Sequence, residues 1–164
     1  EAINKYDVLR DILRGLDDIK HLLVYTNSEQ IDTVGSILNE FGVMHHRFTH
    51  EEGDDLREEL LTRFGEGEYE ALVAMRCLDE GVDVPATRTA ILMANTGNPM
   101  QFIQRRGRVL RQAPGKDRAD IYDLLVVPTL EPDDDIAMSE KQFSEWENAR
   151  TKNDVVYVIS IYGG

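Results

Sequence analysis

The chain has 164 residues, 41% of them hydrophobic, and a formal net charge of −13, which suits one globular domain with its own core, with or without a short appendage. No apolar run approaches the ~18 residues of a membrane-spanning helix, and the opening EAINKYDVLRDIL lacks a charged-then-apolar leader pattern, so a cytoplasmic location is expected. The lone Cys77 excludes an internal disulfide framework and a multi-cysteine zinc site. In chain order, residues 2–16 carry Ile3, Tyr6, Leu9, Ile12, Leu13 and Leu16 at helical spacing. Residues 21–26 form a short apolar run and read as a buried strand. A helix over about 28–41 follows, with Ser28 as candidate N-cap and Ile31, Val34, Leu38 and Phe41 on one face. Strands are predicted at 43–48, 71–75, 89–94, 121–127 and 155–162. Further helices are predicted at 51–64, broken by Gly65 and Gly67, and at 100–110 and 139–152. Helices alternating with β-rich runs imply an α/β fold whose sheet is mainly parallel and covered on both faces. In such sheets ligands bind beyond the carboxyl ends of the strands. The loops after Thr26, Phe48, Met75 and Ala94 therefore form the candidate functional rim.

The acidity is scattered, with 16 aspartates and 15 glutamates against five lysines and 13 arginines. It reads as a solvated surface, of the kind suited to a high-salt cytoplasm. An acidic partner-binding tail around Asp133, Asp134 and Asp135 is the alternative. Residues 105–118 reverse the sign, with Arg105, Arg106, Arg108, Arg111, Lys116 and Arg118 against Asp117 alone. These arginines either pair with surrounding acids or form a phosphate-binding island.

Three segments carry chemistry. The first is Gln104-Arg-Arg-Gly-Arg-Val-Leu-Arg111. On a helix Arg108 and Arg111 share a face, as do Gln104 and Arg108. Two guanidinium forks one turn apart suit a triphosphate. The second is the stretch 74–85, AMRCLDEGVDVP, where Gly81 permits close backbone approach to a phosphate. Asp83 can accept a ribose hydroxyl there. Cys77 within it reads as a packing residue. The third is Leu22-Leu-Val-Tyr-Thr26 with Asn27 and Ser28 at a helix start, where free N–H groups either meet an anion or are simply capped. His45, His46 and His50 lack metal-ligand spacing, so no zinc site is read.

In that order these segments resemble motifs VI, V and IV of superfamily 2 helicases, and the resemblance spans about residues 20–127. The combination EGVDVP with QRRGRVLR is most similar to the DNA-directed branch, namely repair helicases of the XPB type and restriction-enzyme translocase subunits. The resemblance implies a RecA-like three-layer sandwich: the second motor domain, over 1–127. Residues 128–164, an acidic loop with a helix and strand, are expected to pack on the same domain. It implies that Arg108 and Arg111 are arginine fingers, and that Gly81, Asp83 and Gln104 also lie at the nucleotide. It implies that Thr26, Asn27, Ser28, Thr49, His50 and Arg76 face a nucleic-acid backbone. Met75 stands where the family usually has a threonine, and Arg76 is the candidate substitute. Arg57 matches an arginine common in the helix after the second strand.

No G-x-x-x-x-G-K-[ST] phosphate loop and no D-E-x-[DH] box occur in the chain. By the resemblance, these belong to a preceding RecA-like domain that holds most of the ATP and Mg²⁺. This chain is then expected to be inactive alone and to act with that domain on nucleic acid, DNA favoured, with repair or restriction subunits as wider partners. A non-catalytic nucleic-acid-binding module and an RNA-directed helicase are the alternatives. A dinucleotide-binding oxidoreductase fails because no G-x-G-x-x-G follows the first strand.

Overall fold

The structure, a computed structural model, describes residues 4–75, 83–94, 119–127 and 155–163. Within them the chain forms α1 (Asn4–Gly15), β1 (Leu22–Tyr25), α2 (Ile31–Glu40), β2 (His45–Phe48), α3 (Asp54–Glu66), β3 (Ala71–Ala74), β4 (Thr89–Leu92), β5 (Ala119–Val127) and β6 (Val155–Gly163). The expected helices over 100–110 and 139–152, the arginine island and the acidic loop lie outside the described residues.

The six strands lie in the order β2-β3-β1-β4-β5-β6. The first five are parallel, and β6 closes the sheet antiparallel to β5. Strand periodicity sorts the core onto two faces. Leu22 and Val24 pack with Leu9 and Leu13 of α1 and with Ile31, Val34, Ile37 and Leu38 of α2. Leu23 and Tyr25, pointing the other way, pack with Leu60 and Phe64 of α3. The result is a three-layer α/β/α sandwich. Each fully buried Leu, Ile or Phe contributes roughly 1.5–3 kcal/mol. Because all four residues of β1, β3 and nearly all of β4 are buried, these strands read as continuous apolar runs without alternation.

Helix ends depart from expectation in two places. Gly65 stays inside α3. The helix stops at Gly67, whose φ of 84° gives the left-handed turn that glycine adopts without a Cβ penalty. Its N–H and that of Glu68 return to Phe64 and Arg63. Before α2 the N-cap position is Gln30, without a side-chain cap bond, in place of the expected Ser28, and Asn27 closes the turn that leads into it. Asn27 Oδ1 accepts the N–H groups of Glu29 at 3.0 Å and Gln30 at 2.9 Å, while Gln30 Oε1 accepts the Asn27 N–H at 3.1 Å. This is a reciprocal capping box, in which each side chain satisfies the other residue's backbone. Ser28 is left exposed.

The chain leaves β1 toward α2 and β2 on one side, and leaves β4 toward β5 on the other. The crevice between the carboxyl ends of β1 and β4 is therefore the topological switch point, where open parallel sheets place ligands.

Candidate functional site

The described rim consists of two corners and the strand ends between them. At the first corner, Thr26 extends β1 by one rung. Its N–H donates to the Ala74 carbonyl at 2.8 Å and its hydroxyl to the same oxygen at 3.4 Å. Thr26 is buried, so it shapes the corner from within. On the other side of β1, Met93 N–H donates to the Tyr25 carbonyl at 2.9 Å. A parallel ladder would next join Asn27 N–H to the Met93 carbonyl. The carboxamide of Gln30 stands in that rung instead. Its Oε1 takes the Asn27 N–H, and its Nε2 donates to Met93 O at 3.3 Å. Lys5 of α1, only 2% exposed, donates from Nζ to the same oxygen at 2.8 Å. Three elements thus meet at one carbonyl, whose two lone pairs accommodate two donors.

At the second corner Thr49 follows β2 and is fully buried. Its N–H and its hydroxyl both donate to Glu52 Oε2, at 2.7 and 2.6 Å, while its hydroxyl accepts the Glu51 N–H at 3.1 Å. Burial pushes the Glu52 carboxyl up, but the two Thr49 donors and the nearby His46 outweigh it and hold the group below the usual carboxylate range. His50, next to Thr49, is exposed. Arg57, on the first turn of α3, pairs with Asp54 on the same helix.

Between the corners Met75 is buried at the end of β3, where its N–H donates to the Phe48 carbonyl at 3.3 Å. Its side chain joins the core on the α1/α2 face, so the residue standing at the family's threonine position packs inward. Asp83 is half-buried beside fully buried Val84. Arg76, Gly81, Gln104, Arg108, Arg111 and Cys77 lie outside the described residues. Among the described residues no three His, Cys, Asp or Glu side chains gather in one place. No helix among them is long and apolar enough to cross a membrane.

The residues missed from sequence are Lys5, Gln30 and Glu52. Gln30 had a signal, because Asn27-x-x-Gln30 is a capping-box spacing. So did Lys5, which falls four residues before Leu9 and eight before Leu13, on the apolar stripe of α1. A lysine on a stripe that packs inward must bury its ammonium or bend it out.

Residues 4–113 match the family model of the helicase conserved C-terminal domain. The chain belongs to that family. The matched stretch includes the segments at 74–85 and 104–111 and begins at the helix that carries Lys5. Among curated relatives, the DNA 3′-5′ translocase XPB2 of Sulfurisphaera tokodaii is 38% identical over 109 residues, 66% of this chain and 24% of its own length. Among solved structures, the Hef helicase domain of Pyrococcus furiosus superposes with a TM-score of 0.53 at 29% identity, over 68% of this chain and 24% of that one. The C-terminal domain of the DEAD-box protein Dbp5 superposes at 0.57 and 23% identity, over 71% and 67%, which bears on the fold alone. The helicase C-terminal domain is thus a RecA-like α/β unit, and this chain spans about a quarter of the translocase it resembles.

Proposed function

We propose that this chain is the second motor domain of an ATP-dependent superfamily 2 helicase or translocase that moves along DNA. The observation that carries the reading is the helicase C-terminal family match over residues 4–113, joined by 38% identity to a DNA translocase. ATP is held by a preceding RecA-like domain and closed off by this one, and the chain alone is inactive. Arg108 and Arg111 reach across to the γ-phosphate and stabilise the charge that builds on it. Gln104, Gly81 and Asp83 line the nucleotide side of the cleft. On the nucleic-acid side, Ser28, His50 and Arg76 meet the phosphate backbone, while Asn27, Thr26 and Thr49 shape the corners that present them. Phosphate contacts carry no base information, so movement is sequence-independent. Closing the cleft on ATP and opening it after hydrolysis would draw the two rims stepwise along the strand. Repair or restriction complexes are the setting in which such a motor works.

The test is ATP turnover of the full-length protein, with and without DNA or RNA, from low to molar salt. DNA-stimulated turnover is expected. Stimulation by RNA alone would keep the sites but change the substrate, and no turnover under any condition would leave a non-catalytic module. A molar salt optimum is expected if the acidic surface is a halophile's. The fingers have their own test. Arg108→Ala should cut full-length turnover by about 10³-fold or more, and wild-type turnover in that variant would sink the assignment.

A further inference from the structure

We propose that Lys5 and Gln30 are positioning residues: together they hold β1 and β4 apart at the switch point and aim Ser28 at a nucleic-acid phosphate. The inference rests on the proposed function and deepens it by naming what sets the geometry of the β1 corner.

The argument starts from the ladder. Thr89 and Met93 of the β4 segment donate their N–H groups to the carbonyls of His21 and Tyr25. In a parallel pair, the same residues accept from the partner strand two residues farther on. The rung that would follow is Asn27 N–H to Met93 C=O. A carboxamide offers the same donor and acceptor as a peptide group, so Gln30 satisfies both ends of that rung while keeping the two backbones apart. Buried backbone groups are almost always paired, so a strand separation of this kind needs such an insert.

Lys5 completes the device. It falls at helical spacing in line with buried Leu9 and Leu13 of α1, and its buried ammonium donates to the same Met93 oxygen. An apolar side chain at that position would pack without the desolvation cost of an ammonium. What the ammonium supplies instead is a fixed tie between α1, the turn over residues 27–30 and the exit of β4. The turn is rigid in consequence. The Asn27 side chain accepts the N–H groups of Glu29 and Gln30 in the turn ahead of α2, and its own N–H is held by Gln30. Ser28 is the exposed residue next to Asn27 in this clamped turn, so its direction follows from Gln30 and Lys5.

The experiment is a double-mutant cycle on the full-length protein, read as the affinity for a fluorescent single-stranded DNA oligonucleotide, with the active fraction fixed by stoichiometric titration. Gln30→Met keeps the side-chain length and removes both amide functions. Ser28→Ala removes the hydroxyl. Each single change is expected to weaken binding roughly 5- to 10-fold. The double change should be no weaker than the weaker single one, because one residue acts through the other. The dependence of affinity on salt should keep its slope, since Ser28 is neutral and releases no counterion. Lys5→Met should behave as Gln30→Met does. Additive losses, unchanged affinity in Gln30→Met, or a shallower salt slope in Lys5→Met would overturn the proposal; the last would make Lys5 itself a phosphate contact. If Gln30→Met does not fold, Lys5→Met carries the same cycle. If neither folds, the pair is structural and the proposal falls. A wild-type protein with no affinity for any nucleic acid would instead break the proposed function, and this inference with it.

Discussion

The corners after β1 and β2 share a pattern, an apolar strand end followed by a buried threonine and a polar turn into a helix, yet different chemistry closes them. After β1, Thr26 spends its hydrogen bonds on the backbone of β3, and the turn is closed by the neutral carboxamide of Gln30. After β2, Thr49 spends its N–H and hydroxyl on the carboxylate of Glu52. The first corner is tied into the sheet and to α1. Among the described residues, the side chain and N–H of Thr49 in the second are tied to its own loop, by a charge. Two threonines in equivalent positions are therefore not equivalent donors: the β1 corner is built for a fixed shape, and the β2 corner for one that depends on the charge of one group.

Several changes would break or sharpen that contrast. Gln30→Ala takes the Gln30 acceptor from the part-buried Asn27 N–H and one of the two described donors from Met93 O, so it should cost about 1–3 kcal/mol of unfolding free energy in denaturant titrations. At the other corner, Thr49→Val leaves Glu52 without its hydroxyl donor and should cost about 1–2 kcal/mol. Thr26→Val, which removes a long 3.4 Å bond, should cost under about 1 kcal/mol. Equal losses at the two threonines would erase the distinction between the corners.

Acid should separate them further. Because the folded Glu52 carboxyl lies below its usual value of 4.5, its stabilisation is complete above that pH and fades as pH falls through the folded value. Glu52→Gln should therefore lower stability at pH 7, by an amount that shrinks as the pH falls below 4.5 through the folded value, while the cost of Gln30→Ala should not change over the same range. The smallest effect is expected at the start of β2. Burial, and then the charge of neighbouring His46, lower the His45 pKa below 6.5. The unfolded chain then takes up a proton that the folded one resists, so stability declines as pH drops below about 6.5. His45→Gln should flatten that decline, as followed by melting temperature between pH 7.5 and 5.5.

The layered α/β fold was legible because it rests on apolar runs and their spacing. The runs at 22–25, 71–74 and 89–92 announce buried parallel strands, and the stripes of α1 and α2 announce the face that covers them. Polar closure was less legible. Ser28 and Asn27 are both good caps, and only the partner three residues on, Gln30, separates them. Gly65 and Gly67 are both helix breakers, and the choice between them depends on which one can turn left-handed with its N–H over the last turn. Thr49 and Glu52 have a capping-box spacing, but they close a turn just ahead of α3 and leave Gly53 at its start, so the motif alone did not reveal a threonine consumed by its own loop. For Lys5 its place on the α1 stripe was visible but its partner was hidden. Its burial depends on Met93, 88 residues away, and no local pattern encodes a carbonyl left open by a side-chain insert.

The central position of β1 also has a consequence in time. Its partners are residues 71–74 on one side and 89–92 on the other, so β1 is paired only after the three elements between it and β3 have been made. At a synthesis rate of roughly 5–20 residues per second, β1 waits several seconds for its first partner and longer for its second. During that interval Leu22-Leu-Val-Tyr25 is an apolar segment with both edges open, the kind of strand that associates with other chains. Within this domain the nascent segment is thus most exposed before α3 and β3 have followed it out, and holding that one tetrapeptide apart from its neighbours is the service a chaperone would render it.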